Sequence, residues 1–289
     1  MDYDVPGATM KPHIRAFLYL LMAAALWSLG GVLIKGIPWP ALTLAGIRSL
    51  VALCFFILYR RGWKIRFTPV MVAGALAYAL TLISFVAATK MTTAANAILL
   101  QYTAPVYVAL FGIWFLKETV NWTDIGTMGI VLGGMGLFFL DKLSTTGFLG
   151  NLIAIFSGLC FGWLVLLLRK QKEGTPLDTV ILGNLLVVLF CLPFMTRLDA
   201  RPAHWIGIII LGVLQIAVAY ILYTLAIREV RAIEAVLITT LEPILNPIWV
   251  FLFLGEKPGQ WALLGGSLVV GAILLHQLLS PRKPAESIF

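Results

Sequence analysis

The sequence predicts an all-α polytopic membrane protein, with ten transmembrane helices arranged as two inverted five-helix repeats around a central cavity. Three observations predict it. Of 289 residues, 61% are hydrophobic and only 12% charged, with a mean hydropathy of +0.98, a balance that fits apolar spans joined by short links. The stretch AANAILLQYTAPVYVALFGIWFLKE, from Ala94 to Glu118, returns 138 positions later as AIEAVLITTLEPILNPIWVFLFLGE, from Ala232 to Glu256. At that offset Ala94, Ala97, Leu99, Pro105, Phe115, Leu116 and Glu118 meet identical residues without a gap, and Gly74 with Gly212 and Gly133 with Gly271 extend the register on either side. Finally, each half holds five apolar runs of bilayer-spanning length. An odd number of crossings per half places two similar halves in opposite orientations.

In order, the first span covers residues 14–34 and ends at Lys35, and its second half reads LWSLGGVLIK. It continues directly into further spans, so it reads as a retained helix rather than a cleaved signal. Span 2 covers 41–58 with Arg48 inside it, span 3 covers 67–89, span 4 is the first proline segment and span 5 covers 122–140. Spans 6, 7 and 8 cover 147–168, 177–196 and 203–227, span 9 is the second proline segment and span 10 covers 260–279. The two repeats are therefore 1–143 and 144–289. With the amino terminus inside, fourteen Lys and Arg residues fall on the inner side and six on the outer. The positive-inside rule then puts both termini in the cytoplasm.

Pro105 and Pro243 stand mid-span, where each deprives a carbonyl four residues earlier, that of Gln101 or Thr239, of its N–H partner. A freed carbonyl is costly in lipid, so such a helix is buried against neighbours or lines a watery cavity. One copy is explained equally by a packing kink. Two copies at one depth point to a cavity, since paired interrupted helices in corresponding halves mark the binding sites of membrane transporters.

These features together resemble the drug/metabolite transporter superfamily, EamA type. The match covers roughly residues 14–279: the two five-span repeats, the LW-plus-small-residue first span ending in Lys35, Arg48 in span 2, and two proline segments closing at Glu118 and Glu256. Within that family the chain is most similar to bacterial exporters of amino acids, aromatic ones included. The resemblance implies alternating access, outward movement of small molecules, and a bacterial inner-membrane location. Glu242, which stands where the other copy has Ala104, departs from the symmetry of the two segments.

Several residues are candidates for the site. Tyr78, Gln101, Gln215, Thr239 and Glu242 fall near the midpoints of spans 3, 4, 8 and 9, and Trp163 lies deeper in span 6 than an interfacial belt would place it. The expected pocket takes a zwitterion with an apolar or aromatic side chain. Its charged groups would reach Gln101, the freed carbonyls and Glu242, with Tyr78 and Trp163 as aromatic surface. Either aromatic residue is explained equally by packing between helices. Glu242 is read two ways, as a proton-exchanging carboxyl or as a hydrogen-bonded lock between helices. Arg48 is grouped with Pro105 and Pro243 as structural, as an ion pair or snorkel, with a substrate carboxylate as its alternative partner. Glu118 is expected to make an interfacial salt bridge or cap a neighbouring helix. Gly129-x-x-x-Gly133 and Gly158-x-x-x-Gly162 are packing signals.

The same reading sets aside other classes. The +8 net charge sits in links, where it sets topology rather than binding nucleic acid. Cys54, Cys160 and Cys191 have no metal or disulfide spacing, and no phosphate loop or paired acid, base and nucleophile is present. No cofactor or enzyme chemistry is expected. The partners are a small-molecule substrate and the bilayer, and the protein is expected to be a monomer or weak dimer. Other cargoes, nucleotide sugars or drugs, and a passive channel remain as alternatives.

Overall fold

In the computed structural model every element of the described residues is helical. Those residues are 11–60, 67–138, 140, 147–172, 175–195, 198, 201–245 and 260–279. The elements are α1 (Pro12–Trp27), α2 (Gly30–Gly36), α3 (Ala41–Arg60), α4 (Pro69–Met91), α5 (Ala94–Gln101), α6 (Ala104–Phe115) and α7 (Trp122–Phe138). They continue with α8 (Phe148–Lys170), α9 (Pro176–Cys191), a 3-10 turn (Leu192–Phe194), α10 (Pro202–Ile209), a π-helical stretch (Ile210–Val218), α11 (Ala219–Ala226), α12 (Ala232–Thr239) and α13 (Gln260–Leu279). Residues 242–245 form a further helical turn.

Local sequence explains several boundaries. The Thr68 hydroxyl accepts from the Met71 amide to open α4, with Pro69 in the first turn, and Thr93 does the same for Asn96 at α5. Ser28 donates to the Ala25 carbonyl at 2.6 Å where α1 gives way to α2. The first proline segment is interrupted rather than merely bent. Helix α5 stops at Gln101 and α6 starts at Ala104, one residue before Pro105.

Seven helical stretches among the described residues are long and apolar enough to cross a membrane. They are Pro12–Gly36, Ala41–Arg60, Pro69–Met91, Asn96–Phe115, Phe148–Lys170, Pro176–Phe194 and Pro202–Ala226. Helix α7 has 17 residues, α13 contributes a shorter apolar run, Leu263–Leu279, and the second proline segment continues beyond the described residues. Large apolar side chains such as Leu58, Trp114, Trp122 and Phe148 are exposed, as they are where lipid replaces water as the surrounding solvent.

Helix α4 packs on α8 and α9, α3 on α9 and the π stretch, and α1 on α11. Helices α5 and α6 pack on α8, and α12 on α6 and α1. Helices α7 and α13 form a pair at the side of this bundle. Two glycines let helix backbones approach closely at the middle of the bundle. A Cβ on Gly158 of α8 would fall 2.6 Å from the Gln101 carbonyl oxygen, and one on Gly212 would fall 2.7 Å from the Arg48 carbonyl oxygen. The α8 glycine pair therefore docks on the proline break. Gly129 and Gly133 meet nothing within 4 Å among the described residues, which corrects their expected packing role. Gly134 makes the approach to α13 instead, where a Cβ would fall 3.0 Å from the Gly265 carbonyl oxygen.

Candidate functional site

The interruptions converge on one cavity at the middle of the bundle. It is lined by Trp27, Arg48, Thr81, Leu82, Phe85, Gln101, Phe161, Gln215, Ile216, Tyr220 and Glu242. Each polar group arrives from an irregular or closely packed segment. Gln101 ends α5 at the proline break, Gln215 projects from the π stretch, and Glu242 precedes Pro243. A π stretch widens one helical turn and re-aims its side chains, a feature frequent at functional sites.

Arg48 is 1% exposed, and Nη1 donates to Gln215 Oε1 over a long 3.4 Å. Its Nε has no partner among the described residues. The side chain lies deep in the bundle with its guanidinium at the cavity wall, so it does not snorkel, and it makes no ion pair among the described residues. On another part of the wall, Glu242 Oε2 is 2.5 Å from the Tyr102 hydroxyl, which also lies 2.8 Å from the Thr239 carbonyl oxygen. Gln101 Nε2 donates to Ser157 Oγ at 2.8 Å, and Ser157 donates on to the Thr81 carbonyl at 3.1 Å.

The structure brings Gln101, Gln215 and Glu242 to one cavity, as expected from their depth, and adds Arg48. The expected placement of Tyr78, Trp163 and Thr239 in the wall is corrected. Tyr78 lies one layer behind it, edge-on to Tyr220 at 4.8 Å, pressed against Gly183, and accepting a 2.9 Å bond from Asn184 Nδ2. Trp163 points elsewhere and stacks on Phe111 at 5.0 Å beside Trp114 and Phe115. The Thr239 hydroxyl is turned onto its own helix, donating within reach of the Ala235 and Val236 carbonyls at 3.1 and 3.0 Å. Sequence reasoning missed Trp27, Phe161, Tyr220 and Tyr102. The LW pair of the first span was a signal for Trp27, and Tyr102 adjoins Gln101 at the proline break.

A charged seam closes one end of the bundle. Arg169 Nε donates to Glu118 Oε1 at 2.8 Å, while Glu118 Oε2 caps α12 by accepting from the Ala232 amide at 2.9 Å. Glu118 thus makes both an ion pair and a helix cap, although its cation is Arg169 rather than the adjacent Lys117. Lys117 has a φ of +55°, the left-handed turn that ends the first proline segment and swings Glu118 across. Arg231 makes paired 2.9 Å bonds to both Asp124 oxygens, and His276 Nε2 is 2.7 Å from Asp124 Oδ1. Arg60 and Asp178 pair between α3 and α9. Glu256 lies outside the described residues.

Comparison with known proteins agrees with this architecture. The chain is 26% identical over 303 residues to the threonine/homoserine exporter RhtA of Salmonella typhimurium LT2, covering 97% of each chain. It is 24% identical over 301 residues to RhtA of Escherichia coli K12, covering 98% of each. An uncharacterized transporter of Archaeoglobus fulgidus is 27% identical over 198 residues, 68% of this chain and 72% of that one. One crystal structure, at 18% identity, superposes with a TM-score of 0.80 over 94% of this chain and 100% of that chain, a likeness of fold. Residues 14–140 and 148–276 each match the EamA-like transporter family. The resemblance drawn from the residues is borne out, and the chain belongs to the EamA-like transporter family: it is a multi-pass membrane transporter, not an enzyme.

Proposed function

We propose that this protein exports neutral amino acids from the bacterial cytoplasm by alternating access between two inverted halves, 1–143 and 144–289, with both termini cytoplasmic. The observation that carries the cargo class is the pairing, in one mid-bundle cavity, of a buried arginine without a carboxylate partner among the described residues and, among the same residues, a single carboxyl group: Arg48 and Glu242. Their opposite charges suit the two ends of a zwitterion, the guanidinium taking the α-carboxylate and the glutamate the ammonium. Trp27, Phe85, Phe161 and Tyr220 offer apolar surface for a side chain. The exporters of threonine and homoserine among its relatives favour the same cargo class. A nucleotide sugar is disfavoured, because its diphosphate would meet one cation.

The packing supports inverted halves. If spans are exchanged between repeats, the α4–α8 contact becomes the α11–α1 contact, and that of α4 with α9 becomes that of the π stretch with α3. The α3–α9 and α7–α13 contacts map onto themselves.

The test is countertransport of threonine and phenylalanine in proteoliposomes. Arg48→Gln should weaken amino acid binding by about tenfold to a hundredfold, the loss of a charged hydrogen bond worth about 1.5–3 kcal/mol. It should also lose preference for phenylalanine over phenethylamine, which lacks the carboxylate. Wild-type-like discrimination in Arg48→Gln would remove Arg48 from the site.

A further inference from the structure

Gln101 meets the cavity through an amide, and the end of that amide left to the cavity is decided behind the wall. Its Nε2 lies 2.8 Å from Ser157 Oγ, and that oxygen lies 3.1 Å from the Thr81 carbonyl oxygen. Ser157 is fully buried, and its hydroxyl has one proton. With the amide nitrogen against Ser157, each contact has its own hydrogen: Gln101 donates to Ser157, and Ser157 donates to the Thr81 carbonyl. With the amide turned over, its oxygen and the Thr81 carbonyl would compete for the single Ser157 proton, and one close oxygen–oxygen contact would have no hydrogen in it. The main chain is held by the next residue of α8, since Gly158 is what lets the Gln101 carbonyl sit against that helix. Gln101 Oε1 therefore accepts from no group among the described residues and is left to the cavity. Thr81, also on the wall, donates its hydroxyl proton to the Ala77 carbonyl at 2.7 Å, so toward the cavity its oxygen can only accept. The other cavity glutamine is turned the opposite way. Gln215 points Oε1 at Arg48 and keeps its N–H groups beside the guanidinium, on the donor side of the wall.

We propose that Gln101, held by Ser157, determines specificity for the cargo side chain and that, together with Thr81, it selects neutral amino acids bearing a hydroxyl. This rests on the amino acid reading of the cavity, in which Arg48 takes the carboxylate and Glu242 the ammonium. Two neutral acceptors side by side are complemented by an uncharged donor. A hydroxyl donates to Gln101 Oε1 or Thr81 Oγ1 and, having lone pairs of its own, also accepts the second N–H of the Gln101 amide. A methyl group of the same size displaces the water from these oxygens and gives them nothing in return. Ser157 does not line the cavity and is a positioning residue, acting through the amide of Gln101. The counterpart of Gln101 in the other proposed half, Thr239, has its hydroxyl turned onto its own helix. Of the two proline breaks, the first is therefore the one that reads the side chain.

Isosteric pairs test the proposal, because threonine and valine differ only by a hydroxyl in place of a methyl, as do homoserine and norvaline. In competition binding to the purified protein, threonine should outrank valine, and homoserine norvaline, by about tenfold. Gln101→Leu should bring both ratios close to one. Ser157→Ala frees the amide to turn over and should narrow the ratios by about threefold or more, seen in proteoliposome countertransport as a raised KM for threonine but not for valine. Each ratio is taken within one variant, so a smaller amount of folded protein does not move it. Equal binding of threonine and valine by the wild type overturns the proposal and leaves the amino acid reading intact, whereas binding of no amino acid overturns both. A loss shared equally by threonine and valine in Gln101→Leu would assign the amide to the groups common to all amino acids. Unchanged ratios in Ser157→Ala would reduce Ser157 to packing. Either result overturns the assignment.

Discussion

Trp27 and Trp163 occupy comparable positions in the first spans of the two proposed repeats, yet only Trp27 lines the cavity. It sits 5.9 Å from Phe161, 5.1 Å from Tyr220 and 5.2 Å from Tyr223 in ring-centroid distance, forming an aromatic wall. Trp27→Ala should therefore reduce the affinity for phenylalanine relative to threonine by about twofold to tenfold, the range of one aromatic contact worth about 0.5–1.5 kcal/mol. Trp163→Ala should lower the apparent melting temperature in detergent and leave that ratio unchanged. Competition binding with the two amino acids checks both, and a shifted ratio in Trp163→Ala would contradict the placement. The depth of the polar residues was legible in the sequence, because Gln101, Gln215 and Glu242 are costly inside an apolar span and have to find a cavity or partners. The facing of Tyr78 and Trp163 was not. In a helix apolar on every side, periodicity does not distinguish the cavity face from a helix interface.

At the level of helices, the two prolines announced the breaks, and the breaks do set the site. What the sequence left hidden is how the breaks are packed and what else bends the bundle. The π stretch Ile210–Val218 contains no proline or charge to mark it, yet it delivers Gln215 to Arg48 while Gly212 brings its backbone against α3. The glycine pairs looked alike as patterns, and only their neighbours separate them. Gly158 lets α8 close on the Gln101 carbonyl, so Gly158→Ala puts a methyl 2.6 Å from backbone oxygen and 2.9 Å from Thr103 Oγ1. Backbone atoms there have no free rotamer with which to yield, and the expected cost is about 1–3 kcal/mol of stability. Gly129→Ala meets nothing within 4 Å among the described residues. It should be neutral or stabilising by up to about 1 kcal/mol from helix propensity. Thermal unfolding of the two variants side by side is the check, and equal melting temperatures would sink the distinction.

Across the whole molecule, the two ends of the bundle are joined by different chemistry. Contacts between the proposed halves at the basic end are ionic: Arg169 with Glu118, Arg231 with Asp124, and Arg60 with Asp178. At the opposite end neutral contacts join the halves among the described residues. The Asn151 amide oxygen accepts from Thr92 Oγ1 at 2.7 Å and Asn96 Nδ2 at 3.1 Å, Thr43 donates to the Phe194 carbonyl at 2.6 Å, and Trp39 meets Trp205 at 5.2 Å. Sequence reading located Glu118 of the ionic seam but not its partner, since Glu118 and Arg169 are 51 residues apart and belong to different proposed halves. In an alternating-access cycle each seam has to part while the other holds, so the two seams bias one equilibrium in opposite directions. Arg169→Gln removes a charged bond from the basic, proposed cytoplasmic, end and should shift the population toward the inward-open state by about tenfold or more. Asn151→Ala should shift it the other way by a smaller factor, because neutral hydrogen bonds hold less. A cysteine placed at Thr81 on the cavity wall, in a background lacking Cys54, Cys160 and Cys191, reports both shifts through an impermeant maleimide applied from either side. Labelling should rise from the cytoplasmic side in Arg169→Gln and from the outer side in Asn151→Ala. A rise on the same side in both variants would mean that the two seams do not oppose each other, and the inverted-repeat account of the cycle would fail with them.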